Sequence, residues 1–220
     1  MRQYCNGISA ILAVTLLSFV FLFGAISCVI KEPISESTMP PTPTLSPSLT
    51  GNSSVPDQSP GAVSITYTLN QISKIASNQI AVWIEDQNRK YICTLYATRF
   101  TASGGYKQRP EALPLWIGAS DWKNASKSEV DAVTGATQKP GVNTLTWDCR
   151  DKEGQPVKPG KYVYIMEGNI YWNDRVVWRG EIEVGSKEST SLAKVSYIPE
   201  TAKDSGVLIE NVSAVFKPRR

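Results

Sequence analysis

Side chains that can do chemistry are few and unevenly placed in this 220-residue sequence. Histidine is absent, which removes Ser-His-Asp and Cys-His catalysis and the commonest zinc ligand. A hydrolase would have to rest on a carboxylate pair, and nothing in the spacing pairs Asp121, Glu129 or Asp131. Asp148, Asp151 and Glu153 lack the run of oxygen ligands that a calcium loop needs; followed by Gly154, Pro156 and Pro159-Gly160, they read as turn chemistry. The densest remaining cluster is Asp131-Ala132-Val133-Thr134-Gly135-Ala136-Thr137, a carboxylate, two hydroxyls and small residues packed together ahead of Pro140-Gly141. Read as a turn, it has Asp131 and Thr134 bonding their own backbone and Gly135 left-handed. That reading accounts for Asp and Gly but gives Ala136 and Thr137 no role, so the cluster stands as the candidate site.

Of the four cysteines, Cys93 and Cys149 fall in the part of the chain that reads as folded. An exported domain with two cysteines most often pairs them, and a bond closing so long a loop is worth about 4 kcal/mol by chain entropy. Two separately buried thiols are the alternative. A bond would clamp the base of the segment that carries the candidate site.

The elements that must position these residues are strands. Val63, Ile65, Tyr67 and Leu69 alternate with Ser64, Thr66 and Thr68, the period of two of a strand with one wet face. Further strands are expected over 79–85, 91–98, 143–148, 160–168, 175–184, 192–198 and 207–216, with no sustained helical period and with Gly, Pro, Asn and Asp in the gaps. The fold class is therefore all-β, an immunoglobulin-like antiparallel sandwich. Val82, Ile84, Leu95, Leu145, Trp147, Tyr162, Tyr164, Met166, Ile182 and Val184 form the expected inner face. Trp83 falls on the opposite face, as does Trp178 or Val177 depending on register, so an exposed ring is expected there. Residues 99–142 interrupt the pattern as one long insertion, expected to be ordered: Arg109-Pro110-Glu111-Ala112-Leu113 can start a short helix, and Leu113, Leu115, Trp116, Ile117 and Trp122 give it something to bury. Tyr106, Trp116 and Trp122 flanking a planar ligand is the alternative use of those rings.

The domain lies behind a leader. Ile8 to Ile30 carries no charge, Arg2 precedes it, and Ala25-Ile26-Ser27 places small residues ahead of Cys28. Residues 1–27 read as a signal peptide or membrane anchor. The stretch resembles a lipoprotein signal, which would put a lipid on Cys28; an uncleaved transmembrane helix and a freely secreted protein are the alternatives. Each leaves the remainder outside the cytoplasm. Residues 28–62 are a Pro/Ser/Thr-rich stalk with too few apolar side chains to offset chain entropy. The folded domain is 63–220. With 23 basic and 20 acidic residues and a net charge of +3, no basic stripe recommends nucleic acid as a partner.

Two resemblances bear on these residues. Ala81 to Asp86, Arg89 to Ala97, Asp131 to Thr137 and Thr144 to Tyr164 together resemble an exported family of unknown function described as predicted periplasmic proteins (domain of unknown function 2271). Trp147 to Tyr164 is also similar to the immunoglobulin-like module of flagellar hook-capping proteins. Against the first pattern Cys149 stands where glycine is expected and Cys93 where a basic residue is common, and two such departures fit a disulfide. The second resemblance is narrower: Asp131-Ala132-Val133-Thr134-Gly135-Ala136-Thr137 is similar to the attachment sequence read by extracytoplasmic flavin transferases, which join FMN to the last threonine of FMN-binding subunits of membrane redox pumps. It implies covalent FMN on Thr137, with Gly135 and Ala136 admitting the transferase and Asp131 orienting the acceptor. The expected function is then an anchored extracytoplasmic electron carrier rather than a stand-alone enzyme, with the membrane, a flavin transferase and membrane redox proteins as partners. The competing expectation is a non-redox surface domain that binds protein.

Overall fold

The computed structural model describes residues 58–72, 78–135 and 138–220. The leader, Cys28, nearly all of the stalk, and Ala136 and Thr137 lie outside the described residues. Among the described residues no helix is long and apolar enough to cross a membrane.

Among the described residues nine strands form two antiparallel sheets, giving the expected all-β sandwich. One sheet runs in the order β4 (Gly141–Trp147), β1 (Gly61–Leu69), β9 (Ile209–Pro218), β7 (Ser189–Leu192). The other runs β3 (Tyr91–Ala97), β2 (Gln79–Asp86), β5 (Gly160–Tyr171), β6 (Asp174–Val184), β8 (Lys194–Ile198). β1 keeps its period of two: Val63, Ile65, Tyr67 and Leu69 are buried. The stretch read as a single strand over 192–198 is two. β7 pairs with β9 in the first sheet and β8 with β6 in the second, with Ala193 donating its N–H to Val212 O (3.0 Å) at the crossing.

Between the sheets lies the expected core. Val82, Ile84, Trp147, Tyr162, Tyr164, Met166, Ile182 and Val184 are buried in it, and Leu95 and Leu145 pack against it from partly buried positions. Packing is close enough to dictate one glycine outright: a Cβ on Gly180 would stand 2.1 Å from the Tyr164 ring.

β2 does not alternate. Every residue from Gln79 to Glu85 is buried, because its outer face is covered as well, and this corrects the expectation for Trp83. The insertion folds over that face as α1 (Arg99–Ala102), α2 (Pro114–Ala119) and α3 (Lys127–Val133), joined by two 3-10 turns. Ala81, Trp83, Ile165 and Val177 of the sheet form a second apolar cluster with Leu113, Trp116, Ile117 and Trp122 of the insertion. Trp83 is thus a fully buried floor rather than an exposed ring, and Val177, not Trp178, is the outer-face residue of β6. Trp116 and Trp122 pack against each other (centroids 4.7 Å apart) and spend their indole N–H groups on Thr94 Oγ1 (2.9 Å) and Ala102 O (3.0 Å). Both rings are core residues of this second cluster.

The expected helix start at Arg109-Pro110 is displaced. Proline does open a helix, but it is Pro114 at the first turn of α2, while Arg109 donates to Asn169 Oδ1 on β5 (2.7 Å). The amide ends of α2 are met by the fully buried Glu167, which accepts from Trp116 N–H (3.0 Å), from Leu115 N–H (3.4 Å) and from Arg175 Nη1 (2.9 Å). Burial pushes this carboxyl above its usual range, against the pull of those donors.

Candidate functional site

Helix α3 carries the first residues of the candidate cluster. Its start is a capping box: Glu129 N–H donates to Ser126 Oγ (3.3 Å) and Ser126 N–H donates to the Glu129 carboxylate (2.8 Å). The Ser126 N–H, and the Ser126 hydroxyl beside it (2.7 Å), hold the Glu129 carboxyl below its usual range. Ser-x-x-Glu was the available sequence signal for this helix. α3 lies beside β3, the edge of one sheet, and after it the chain passes to β4, the edge of the other. The described parts of this connection, 131–135 and 138–140, form a strap that leads from one edge strand toward the other.

Asp131 is on the last turn of α3 with its side chain exposed, and no side-chain hydrogen bond to it is seen among the described residues. Thr134 ends the helix, its N–H bonding Val130 O (3.1 Å). Gly135 is exposed and is not left-handed, in contrast to the turn reading; a Cβ there would approach the Tyr96 ring to 3.4 Å. Beyond Ala136 and Thr137, Gln138 is fixed twice. The buried Tyr67 hydroxyl donates to Gln138 Oε1, and the Gln138 backbone N–H meets the Tyr96 hydroxyl. Burial raises the pKa of both phenols, so both stay protonated. Tyr67 and Tyr96 thus pin the strap at Gln138, immediately after the two candidate residues. Sequence reasoning placed Tyr67 in a strand and passed over Gln138, because a pin formed across the two sheets leaves no local pattern.

Three clefts adjoin this region. One of about 230 Å³ lies between Ala132 and Val133 of α3, Thr94 of β3 and the Asp148–Lys152 turn. Another of about 450 Å³ lies on the other flank of α3 and is rimmed by Lys107, Lys123, Lys127 and Asp131. The third, of about 270 Å³, lies between the two sheets at the pole where β1 ends and β2 begins, and Gln138 and Pro140 border it. Among the described residues no cluster could hold a metal ion. Asp151 is used as expected for a turn, its Oδ1 accepting from Glu153 N–H (3.0 Å) and Gln155 N–H (2.8 Å).

The expected Cys93–Cys149 bond is not formed: both are buried free thiols. The junction it was expected to clamp is bridged by a backbone hydrogen bond instead, from Lys152 N–H to Ile92 O (3.0 Å), and the turn after Cys149 is closed by Val157 N–H to Cys149 O (2.9 Å). Burial, with Asp148 adding to it, pushes the Cys149 thiol up to about 12 and moves Cys93 in the same direction, so neither is a nucleophile at neutral pH. Cys149 has φ 58. Glycine, the residue expected here from the sequence resemblance, is the one to which that conformation comes free of Cβ strain.

A family model described as "Predicted periplasmic protein (DUF2271)" matches residues 62–198. No curated protein sequence matches the chain. Among solved structures, truncated FlgD from Helicobacter pylori strain 26695 is similar at 11% identity over 74% of this chain and 86% of that one, with a TM-score of 0.29.

Proposed function

The chain belongs to the DUF2271 family of predicted periplasmic proteins, and from that premise we propose that it is a membrane-anchored extracytoplasmic domain carrying FMN covalently on Thr137 for electron transfer. The observation that carries the reading is the pinned strap. Asp131 and Gly135, which precede the acceptor in the chain, face solvent, and Gln138, which follows it, is fixed to Tyr67 and Tyr96; these described neighbours support approach of a modifying enzyme without unfolding of the sandwich. In the attachment step the Thr137 hydroxyl oxygen attacks the FMN-side phosphorus of a flavin dinucleotide. The pyrophosphate P–O bond breaks, AMP leaves, and the hydroxyl proton passes to a base on the transferase. A phosphodiester forms with no change of oxidation state. Once attached, FMN supplies one- and two-electron redox chemistry. The chain's own part is to hold it outside the membrane, where a cofactor bound by affinity alone would be diluted away. The N-terminal anchor, as a lipid on Cys28 or as a spanning helix, keeps it near membrane redox partners.

Co-expression of the full chain with a flavin transferase, followed by denaturation, tests this. The polypeptide gains the mass of FMN less one water and stays yellow, and Thr137→Ala abolishes both. An unmodified chain in the presence of a transferase that labels its own substrate overturns the proposal. It would leave the second reading, a non-redox surface domain binding protein through a sheet edge. That reading has its own observation: β4 is an edge strand on which, among the described residues, Val142 is 75% exposed.

A further inference from the structure

We infer that the cleft between the two sheets, apolar at its floor and amide-lined above it, receives the isoalloxazine ring of the flavin carried on Thr137, an inference that rests on the attachment reading above. The cleft measures about 270 Å³, below the usual range for a whole drug-sized ligand and suited to one ring system. Its chemistry is graded. Leu69, Ile80 and Leu208 form an apolar floor, all three buried, and would cover the dimethylbenzene end of the ring. The mouth is lined by the amides of Asn70, Gln71, Asn78 and Gln138, which offer donors and acceptors to the carbonyls and N–H of the pyrimidine end. Asn78 is rigid there, donating to Asn169 O (3.1 Å) and Ile170 O (2.9 Å), and Asn70 is held by its bond to Glu210 (2.7 Å).

Connectivity favours this cleft over its two neighbours. Gln138, next in the chain to Thr137, is one of its walls, and Tyr96 serves both the strap and the cleft. The 230 Å³ cleft is reached from Ala132 and Val133, several residues before Thr137, and its rim mixes Glu129, Asp148 and Asp151 with Arg150 and Lys152, so neither connectivity nor charge selects it. The lysine-rimmed cleft ends at Asp131, at the opposite end of the motif.

The test uses the full chain flavinylated by co-expression, with intact mass measured on every sample. On wild type, the flavin shows a circular-dichroism band in the visible, and its fluorescence is quenched by iodide several-fold less than in the same chain unfolded in urea. Leu208→Trp fills the floor, and Gln71→Trp narrows the mouth from an exposed position that leaves the core intact. Each is expected to keep the mass gain, lose the visible band and raise iodide quenching towards the unfolded value. Mass gain with a ring that is equally quenchable folded and unfolded, or with both variants like wild type, overturns the ring site and leaves attachment standing. Absence of the mass gain overturns attachment and the ring site with it.

Discussion

Truncating Trp116 to alanine removes one of the two tryptophans the insertion packs into the outer apolar cluster. The ring is fully buried, packs on Trp122 with centroids 4.7 Å apart, and donates to Thr94 Oγ1 at 2.9 Å. Removing a buried tryptophan costs about 3–5 kcal/mol, and the lost aromatic pair adds about 1 kcal/mol. These losses fall in the outer apolar cluster, not in the core between the sheets. The expected result is an opening of the insertion that precedes unfolding of the sandwich, because the inter-sheet core does not include Trp116. Urea unfolding followed by far-ultraviolet circular dichroism reports the strands, and hydrogen exchange reports the insertion. Exchange protection of residues 99–133 should collapse to within about 1–2 kcal/mol of full opening while β1 and β9 keep theirs. A cost under about 2 kcal/mol, or equal loss of protection in insertion and strands, would refute the idea that the insertion is a separately docked layer.

Two further outcomes are expected. For Glu167 the folded pKa lies above the unfolded value of 4.5, so the folded state binds the extra proton. Its contribution is full below the unfolded pKa and is lost as pH rises through the folded one. The destabilisation caused by Glu167→Gln, measured by urea titration, should therefore shrink as pH rises from 4 to 7 (about the carboxylate titration range), and growth with pH would contradict the assignment. At Cys149, Gly relieves the strain of φ 58 whereas Ala does not, so Cys149→Gly should be more stable than Cys149→Ala by about 1 kcal/mol. Both thiols of the native protein should resist a maleimide at pH 8 and react once unfolded. A native mass lower by two hydrogens would instead reveal a bond between them.

The strands were legible because burial on one face writes a period of two, as in Val63 to Leu69. β2 carries the clue that was misread: Ile80-Ala81-Val82-Trp83-Ile84 is continuously apolar, which is how a strand covered on both faces reads. That pattern foretold the docked insertion and with it the fate of Trp83. α3 was written in Ser126 and Glu129, but seven residues are too few to show a helical period. The split of β7 from β8 and the pinning of Gln138 were not legible, since both depend on partners distant in sequence, Val212 and Tyr67 respectively. The cysteine pairing failed for a related reason. Counting thiols says nothing of whether hydrogen bonds already close the junction.

The register of the first sheet has a mechanical implication. Gly61 pairs with Pro218, and Arg219 N–H bonds Pro60 O (3.0 Å), so the described chain enters and leaves at one pole of the sandwich. Leu69, Gly141 and Gln138 mark the opposite pole, a β1 length away, roughly 30 Å at 3.4 Å per residue. A load pulling on both ends would peel β1 from β9 at that shared pole, one hydrogen bond at a time, leaving the far end the last to feel it.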